Sequence, residues 1–170
     1  MISNIIFREL IRFGVDFVVS VPSSLFKNLL DMLDEAKEIL HVPVTREEEG
    51  VGIAAGAYLG GKTPALIMQN SGLGNSINAL ASLNMVFKIP LLILIAQRGG
   101  KGETIPAQIP MGKATPALLD AIGAPHYTPK NAEQIPEAFE RAKKSFHSNK
   151  VPVAVLIEME LMKNEENRSY

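Results

Sequence analysis

Three consecutive acids, Glu47, Glu48 and Glu49, stand immediately before the run GVGIAAGAYLGG. A helix opening at Glu47 turns by about 100° per residue, so Glu47, Val51, Ala54 and Tyr58 share one stripe, apolar except for its first member. A carboxylate beside apolar surface makes a stronger hydrogen bond to a ligand than one in water. The three acids also suit a solvated first turn, where each complements the positive end of the helix dipole. Gly52, Gly56 and Gly60 form a second stripe, and a glycine inside a helix costs about 1 kcal/mol relative to alanine. That cost implies close approach to this backbone by a neighbouring helix or subunit. Further on, residues 71–75 (SGLGN) resemble a phosphate cradle, with glycines for close approach and a helix start for free N–H groups. Neither GxGxxG nor GxxxxGK[ST] occurs, so the dinucleotide and P-loop fingerprints are both unmet.

Other chemistries find less support. His41, His126 and His147 have no ligand spacing, and no metal site is expected on this chain. The sequence has no cysteine, which excludes disulfides, thiolate ligands and a cysteine nucleophile, and no GxSxG elbow for a serine nucleophile. A net charge of −1 without a basic run argues against nucleic acid as a partner. Arg8, Glu9 and Arg12 interrupt the N-terminal segment, so it is not a signal-peptide core. The longest apolar run, residues 89–96, falls short of the ~20 residues a membrane helix needs. A soluble, cytoplasmic protein without membrane attachment is expected.

The elements that must position these residues follow from the apolar pattern. With 170 residues, 46% of them hydrophobic, the chain can bury one substantial core, and a single domain over residues 1–170 is expected. Residues 3–13 read as an amphipathic helix closed by Gly14. Strands are expected over residues 15–21, ended by Pro22, and over residues 40–44, with a helix between them capped by Ser23 or Ser24 and running to about residue 37. After the helix from Glu47 come a strand over residues 64–68, a loop over residues 69–76, a helix over residues 77–87 and a strand over residues 89–96. Residues 98–110 lack periodicity, and long irregular connections tend to be functional or mobile. A helix over residues 115–122 ending at Gly123, a short strand at His126 and Tyr127, a helix capped by Asn131 and a strand over residues 151–157 complete the set. The polar tail, residues 163–170, is expected to fray. Continuous apolar strands alternating with helices predict an α/β doubly wound fold, with a largely parallel six-stranded sheet and helices on both faces. Ligands in such folds bind outside the carboxyl ends of the strands, where Pro22, Glu47, the SGLGN segment and Arg98 converge.

Taken together, the VP turn after the first strand, a glutamate nine residues before the glycine of AAG (Glu47 and Gly56), NSGLGN over residues 70–75, and RGGKGE with QIPMGKATPALLDAIG over residues 98–123 resemble the pyrimidine-binding domain of thiamine-diphosphate-dependent decarboxylases. The likeness covers nearly the whole chain. Within the family it is strongest to enzymes acting on 3-sulfopyruvate, on the route to coenzyme M, with those acting on phosphonopyruvate next. A non-catalytic regulatory or scaffolding module of the same fold is the rival reading, against which the retained glutamate speaks.

The resemblance implies that Glu47 hydrogen-bonds the cofactor's aminopyrimidine and acts as an acid–base relay through it. The 2-keto acid then loses CO₂ and leaves as an aldehyde, here sulfoacetaldehyde. Pro22, Ser71, Gly72, Leu73 and Asn75 match the turns that contact the pyrimidine. Full-length members carry a second domain whose GDG motif holds Mg²⁺ and the diphosphate, and no GDG occurs here. The expectation is therefore half an active site, with a beta subunit supplying the Mg²⁺ and diphosphate half, and self-association as well. A substrate with two anionic groups needs cations, and Arg98, Lys101 and Lys113, with Gln108, are the expected substrate-binding residues. The His-His pair of other members is absent from this region.

Overall fold

The apolar runs become six strands in one all-parallel sheet of order β2-β1-β3-β4-β6-β5. The computed structural model describes residues 1–166. Its strands are β1 (Phe17–Ser20), β2 (Leu40–Pro43), β3 (Pro64–Gln69), β4 (Leu91–Gln97), β5 (His126–Tyr127) and β6 (Pro152–Glu158). The helices are α1 (Ile2–Phe13), α2 (Lys27–Glu35), α3 (Glu47–Leu59), α4 (Asn70–Ala79), α5 (Ile109–Ala121), α6 (Ile135–Asn149) and α7 (Met159–Glu166). The tail expected from residue 163 is thus helical as far as Glu166, and residues 167–170 lie outside the described residues.

Alternate strand residues enter two cores, as the pleat requires. Val18, Ile67, Leu92 and Val155 pack with α1, α2 and α6 on one face. Val19, Leu66, Ile93 and Leu156 pack with α3, α4 and α5 on the other. The doubly wound expectation holds, and β3 and β4, covered on both faces, are the uninterrupted hydrophobic runs such burial selects.

Strand order reverses at β1. The chain leaves β1 through α2 toward the β2 edge, returns through α3 to β3 on the other side of β1, and continues through α4 to β4. The crevice at this switch point, outside the carboxyl ends of β1 and β3, is where ligands bind in open α/β sheets. A hydrogen-bonded strut fixes its β1–β2 side. The Ser20 hydroxyl hydrogen-bonds His41 Nε2 at 2.8 Å, and His41 Nδ1 bonds Asp34 of α2 at 2.6 Å. The trio has the composition of a hydrolase triad, but Ser20 has no exposed surface for attack on a substrate, so its role is to tie two strands and a helix together.

Two expected boundaries are corrected. No loop separates β3 from α4, because Asn70 directly follows Gln69 and opens the helix. The NSGLGN segment is therefore the first turns of a helix that continues into a π-helical turn over Leu80–Met85. In the second case α5 begins at Ile109, several residues before the expected start, and contains Pro116. A helical proline leaves the carbonyl four residues earlier without its bond. Here that carbonyl, of Gly112, accepts from Gln97 Nε2 at 2.9 Å.

Candidate active site

The three acids at the head of α3 have different fates. Glu48 pairs with Arg46 in the open at 3.0 Å, and Glu49 accepts from the Thr45 hydroxyl at 3.2 Å. Glu47 alone turns inward and is 9% exposed. The expected stripe is present beneath it, with Val51 and Ala54 fully buried and Tyr58 half-buried.

Glu47 rests where a side chain at position 72 would be. A Cβ built on Gly72 would fall inside the van der Waals shell of Glu47 Cγ, Cδ and Oε1. The first glycine of SGLGN therefore makes room for a carboxylate rather than for a phosphate. Asn75, one turn along α4, donates Nδ2 to Glu47 Oε2 at 3.2 Å, and Oε1 has no partner among the described residues. The carboxylate thus lies at the first turns of two helices, near-buried, with one oxygen uncommitted. Ser76, on the buried side of α4, donates to the Gly72 carbonyl at 2.9 Å and steadies the turn.

The other expected pyrimidine contacts divide. Ser71 is exposed beside this seat and accepts from Gln69 Nε2 at 3.1 Å. Pro22 is exposed on the turn after β1, bordering a shallow crevice with Ser23, Ser24 and Lys27. Leu73 places its side chain in the core, so only its backbone is available near the surface.

The expected glycine stripe has a different meaning inside the chain. A Cβ on Gly52 or Gly56 would meet nothing within 4 Å. The glycine that lets α3 settle on the sheet is Gly50, where a Cβ would stand 2.9 Å from Leu66 Cδ1 and 3.1 Å from Val19 Cγ1. Full burial of Val51, about 1.5–3 kcal/mol, offsets much of the helical cost of these glycines.

Residues 98–110, expected to be irregular and to carry substrate-binding residues, are held by a clasp. Arg98 Nε donates to Glu103 Oε2 at 2.7 Å and Nη2 to Oε1 at 2.8 Å, a bidentate pair. Glu103 also accepts backbone N–H groups from Gly99, Thr104 and Ile105 at 3.0–3.1 Å. The Arg98 guanidinium, then these amides, hold the Glu103 carboxyl well below the usual carboxylate range, and Arg98 is raised in turn by the same bond. Gly99 has φ 82°, and the space a side chain would need is filled by the Gln108 carbonyl. The buried Asn70 completes the attachment: its Oδ1 accepts from Arg98 N at 3.2 Å and its Nδ2 donates to Arg98 O at 3.1 Å.

Of the four expected substrate residues, two gather at the sheet end. Arg98 is 16% exposed and Gln108 accepts from Gln69 Nε2 at 3.1 Å. Lys101 instead pairs with Glu160 in solvent at 3.2 Å, and Lys113 is exposed on α5. Sequence reasoning missed Asn70 and Glu103 as organisers, since neither a helix-opening asparagine nor a loop acid announces its partner. Among the described residues, no acidic and histidine side chains group as metal ligands, and no helix is long and apolar enough to cross a membrane.

A seat that only glycine leaves open is filled by an inward glutamate at the switch point of a parallel sheet. The chain belongs to the thiamine pyrophosphate enzymes, residues 1–122 matching the family's N-terminal TPP binding domain. Within that family it is similar to named subunits. It is 47% identical to the sulfopyruvate decarboxylase subunit alpha of Methanococcus maripaludis, over 92% of this chain and 93% of that one. It is 48% identical to the subunit of the same name from Methanocaldococcus jannaschii, over 90% of each. Among solved structures, benzoylformate decarboxylase from Polynucleobacter necessarius shares the fold with a TM-score of 0.70 at 24% identity, over 94% of this chain and 30% of that one.

Proposed function

We propose that this chain is the alpha subunit of a thiamine-diphosphate-dependent decarboxylase that converts 3-sulfopyruvate to sulfoacetaldehyde and CO₂. The observation that carries the reading is Glu47 lodged over Gly72 with Oε1 uncommitted. The site fits the cofactor's aminopyrimidine: Glu47 would meet the ring, Asn75 and Ser71 would flank it, and Pro22 with the backbone of residues 71–73 would bound it. When bound, thiamine diphosphate supplies the nucleophile and electron sink for loss of CO₂ from a 2-keto acid. This chain contributes a carboxylate that holds or releases a proton at Oε1 in surroundings poor in water, where a hydrogen bond is worth more. Asn75 fixes the other oxygen, so the proton is handled at one atom.

The diphosphate and Mg²⁺ fall to a beta subunit in this reading. Support comes from relatives of matching extent that are themselves named subunit alpha. The open glycine face of α3 and the exposed side chains of Leu59, Val86 and Phe87, at 74%, 66% and 67%, give such a partner apolar surface to cover. Arg98 and Gln108 are assigned to the substrate in this reading, since both gather at the carboxyl end of the sheet.

The test is reconstitution with a GDG-bearing chain, thiamine diphosphate and Mg²⁺, measuring CO₂ release from sulfopyruvate and from phosphonopyruvate. Faster turnover of sulfopyruvate is expected. Equal rates would overturn the substrate assignment, and failure of any GDG-bearing chain to co-elute from the native source would overturn the two-chain reading.

A further inference from the structure

A crevice of about 300 Å³ opens between the start of α2 and the turn after β4, bordered by Ser24, Lys27, Asn28, Arg98 and Thr104. It is distinct in composition from the Glu47 seat, which carries one acid and neutral donors. Two cations, two hydroxyls and an amide face one small space, a set of donors with no carboxylate among the lining groups. Met159 and Met162 also line it, and this buried sulfur-bearing surface limits the water that would compete for those donors.

The two cations are prepared differently. Arg98 is immobilised, because Glu103 takes Nε and Nη2 and is itself 1% exposed, which leaves Nη1 without a partner among the described residues. Lys27 is free to swing. Its Nζ pairs with Asp31 at 3.1 Å, but the two side chains are 76% and 61% exposed, and such a pair on a helix surface is worth only about 0.3–0.5 kcal/mol. An anion entering the crevice could take Lys27 from Asp31 at little cost.

The crevice also adjoins the Pro22 turn of the proposed site. Ser24 and Lys27 border both it and the shallower crevice at Pro22. On its other side, Asn70 clamps the Arg98 backbone and opens the helix that carries Gly72 and Asn75.

We propose that this crevice is the subsite for the second anionic group, a sulfonate or phosphonate, of a dianionic 2-keto acid, and that Lys27 sets the preference for dianionic over monoanionic substrates. This rests on the function proposed above and adds residues that its sequence motifs do not contain. Three tetrahedral oxygens match the point charge of an ammonium, with hydroxyl and amide donors around it, while Arg98 supplies a fixed positive wall.

Two measurements decide it. In the first, the full chain is titrated with sulfoacetate, phosphonoacetate and acetate while backbone amide shifts are followed. Saturable shifts at Ser24, Leu25, Asn28 and Thr104 are expected with sulfoacetate, with acetate giving none, and the Lys27→Met variant should bind roughly tenfold more weakly while Lys27→Arg recovers part of the affinity. Stronger binding of phosphonoacetate would keep the subsite and reassign its ligand. Shifts at Lys101 or Lys113, no shifts, or an unaltered titration of Lys27→Met would overturn the proposal. In the second, the reconstituted complex should lose roughly tenfold of its preference for sulfopyruvate over pyruvate on Lys27→Met, through KM. An unchanged ratio also overturns it. The titration needs no turnover, so an inactive complex would count against the proposed function alone.

Discussion

Glu47 and Glu103 are both carboxylates turned in from solvent near the carboxyl end of the sheet, and they are held in opposite ways. Glu103 is saturated: a bidentate guanidinium and three backbone amides occupy its oxygens. Glu47 has a single neutral donor, Asn75, and a free Oε1. An oxygen that no side chain or backbone group occupies is open to a bond from an incoming ligand. A fully partnered acid has nothing left to offer a ligand, and its work is to hold other groups still. The number of partners, rather than the depth of burial, separates the acid proposed to meet a ligand from the one that holds the loop.

That contrast can be broken at either end. The largest effect is expected for Glu47→Gln, which keeps the shape and removes the ionisable oxygen. The variant should fold and assemble with its partner yet lose at least about 10²-fold in decarboxylation, the lower range for a positioned acid–base group. Retention of full activity in a steady-state assay would remove Glu47 from the chemistry. Next comes Gly72→Ala, whose methyl would displace the Glu47 side chain instead of clashing with rigid backbone. Activity should fall by about 10²-fold, as for a misplacement of about 1 Å, while thermal unfolding of the isolated chain changes little. A large drop in Tm with activity intact would mean the glycine serves the fold alone.

Glu103→Gln should do the reverse. It weakens the clasp, lowers Tm, and affects turnover chiefly through KM as Arg98 loosens. The sign of the pH dependence follows from the direction of the shift. A carboxyl depressed in the folded state contributes stability that is present above its unfolded pKa, about 4.3, and lost as pH falls through the folded value. The Tm difference between wild type and Glu103→Gln should therefore be constant near neutrality and narrow on acidification. A difference that widens in acid would show that the ion pair is not its source.

The smallest effect is expected at Gly56→Ala. Nothing stands within 4 Å of its missing side chain, so the isolated chain should gain about 0.5–1 kcal/mol from helix propensity, measured by urea unfolding. Weaker association with the beta subunit alongside that gain would locate the partner on this face.

Much of this was legible in the residues. Val, Ile and Leu runs of strand length gave the sheet, and the Glu47 stripe gave the inward face of α3, because those patterns record burial directly. The start of α4 was not, since Asn70, Ser71, Gly72 and Gly74 have the chemistry of a turn. Its helix is held by tertiary bonds, from Asn70 to the Arg98 backbone and from Asn75 to Glu47, while Ser76 bonds back to the Gly72 carbonyl within the helix. The same holds for α5, where Pro116 reads as a breaker until Gln97 is seen to occupy the carbonyl it frees. At the site, Glu47 stood out by its position before an apolar stripe. The clasp around Glu103 did not, because a carboxylate and a guanidinium five residues apart in a glycine-rich turn have no fixed relation until the turn is folded. The glycine stripe left open whether a helix or a subunit approaches it, since spacing identifies a helix face but not what lies against it; within the chain the close approach falls at Gly50 instead.

The direct passage from β3 into α4 has a further consequence. With no connecting segment to flex, the backbone at Gly72 inherits its position from the central strands, and the carboxylate resting there is as rigidly located as the sheet itself. The turns after β1 and β4 are where chain length and side chains can change without disturbing that anchorage.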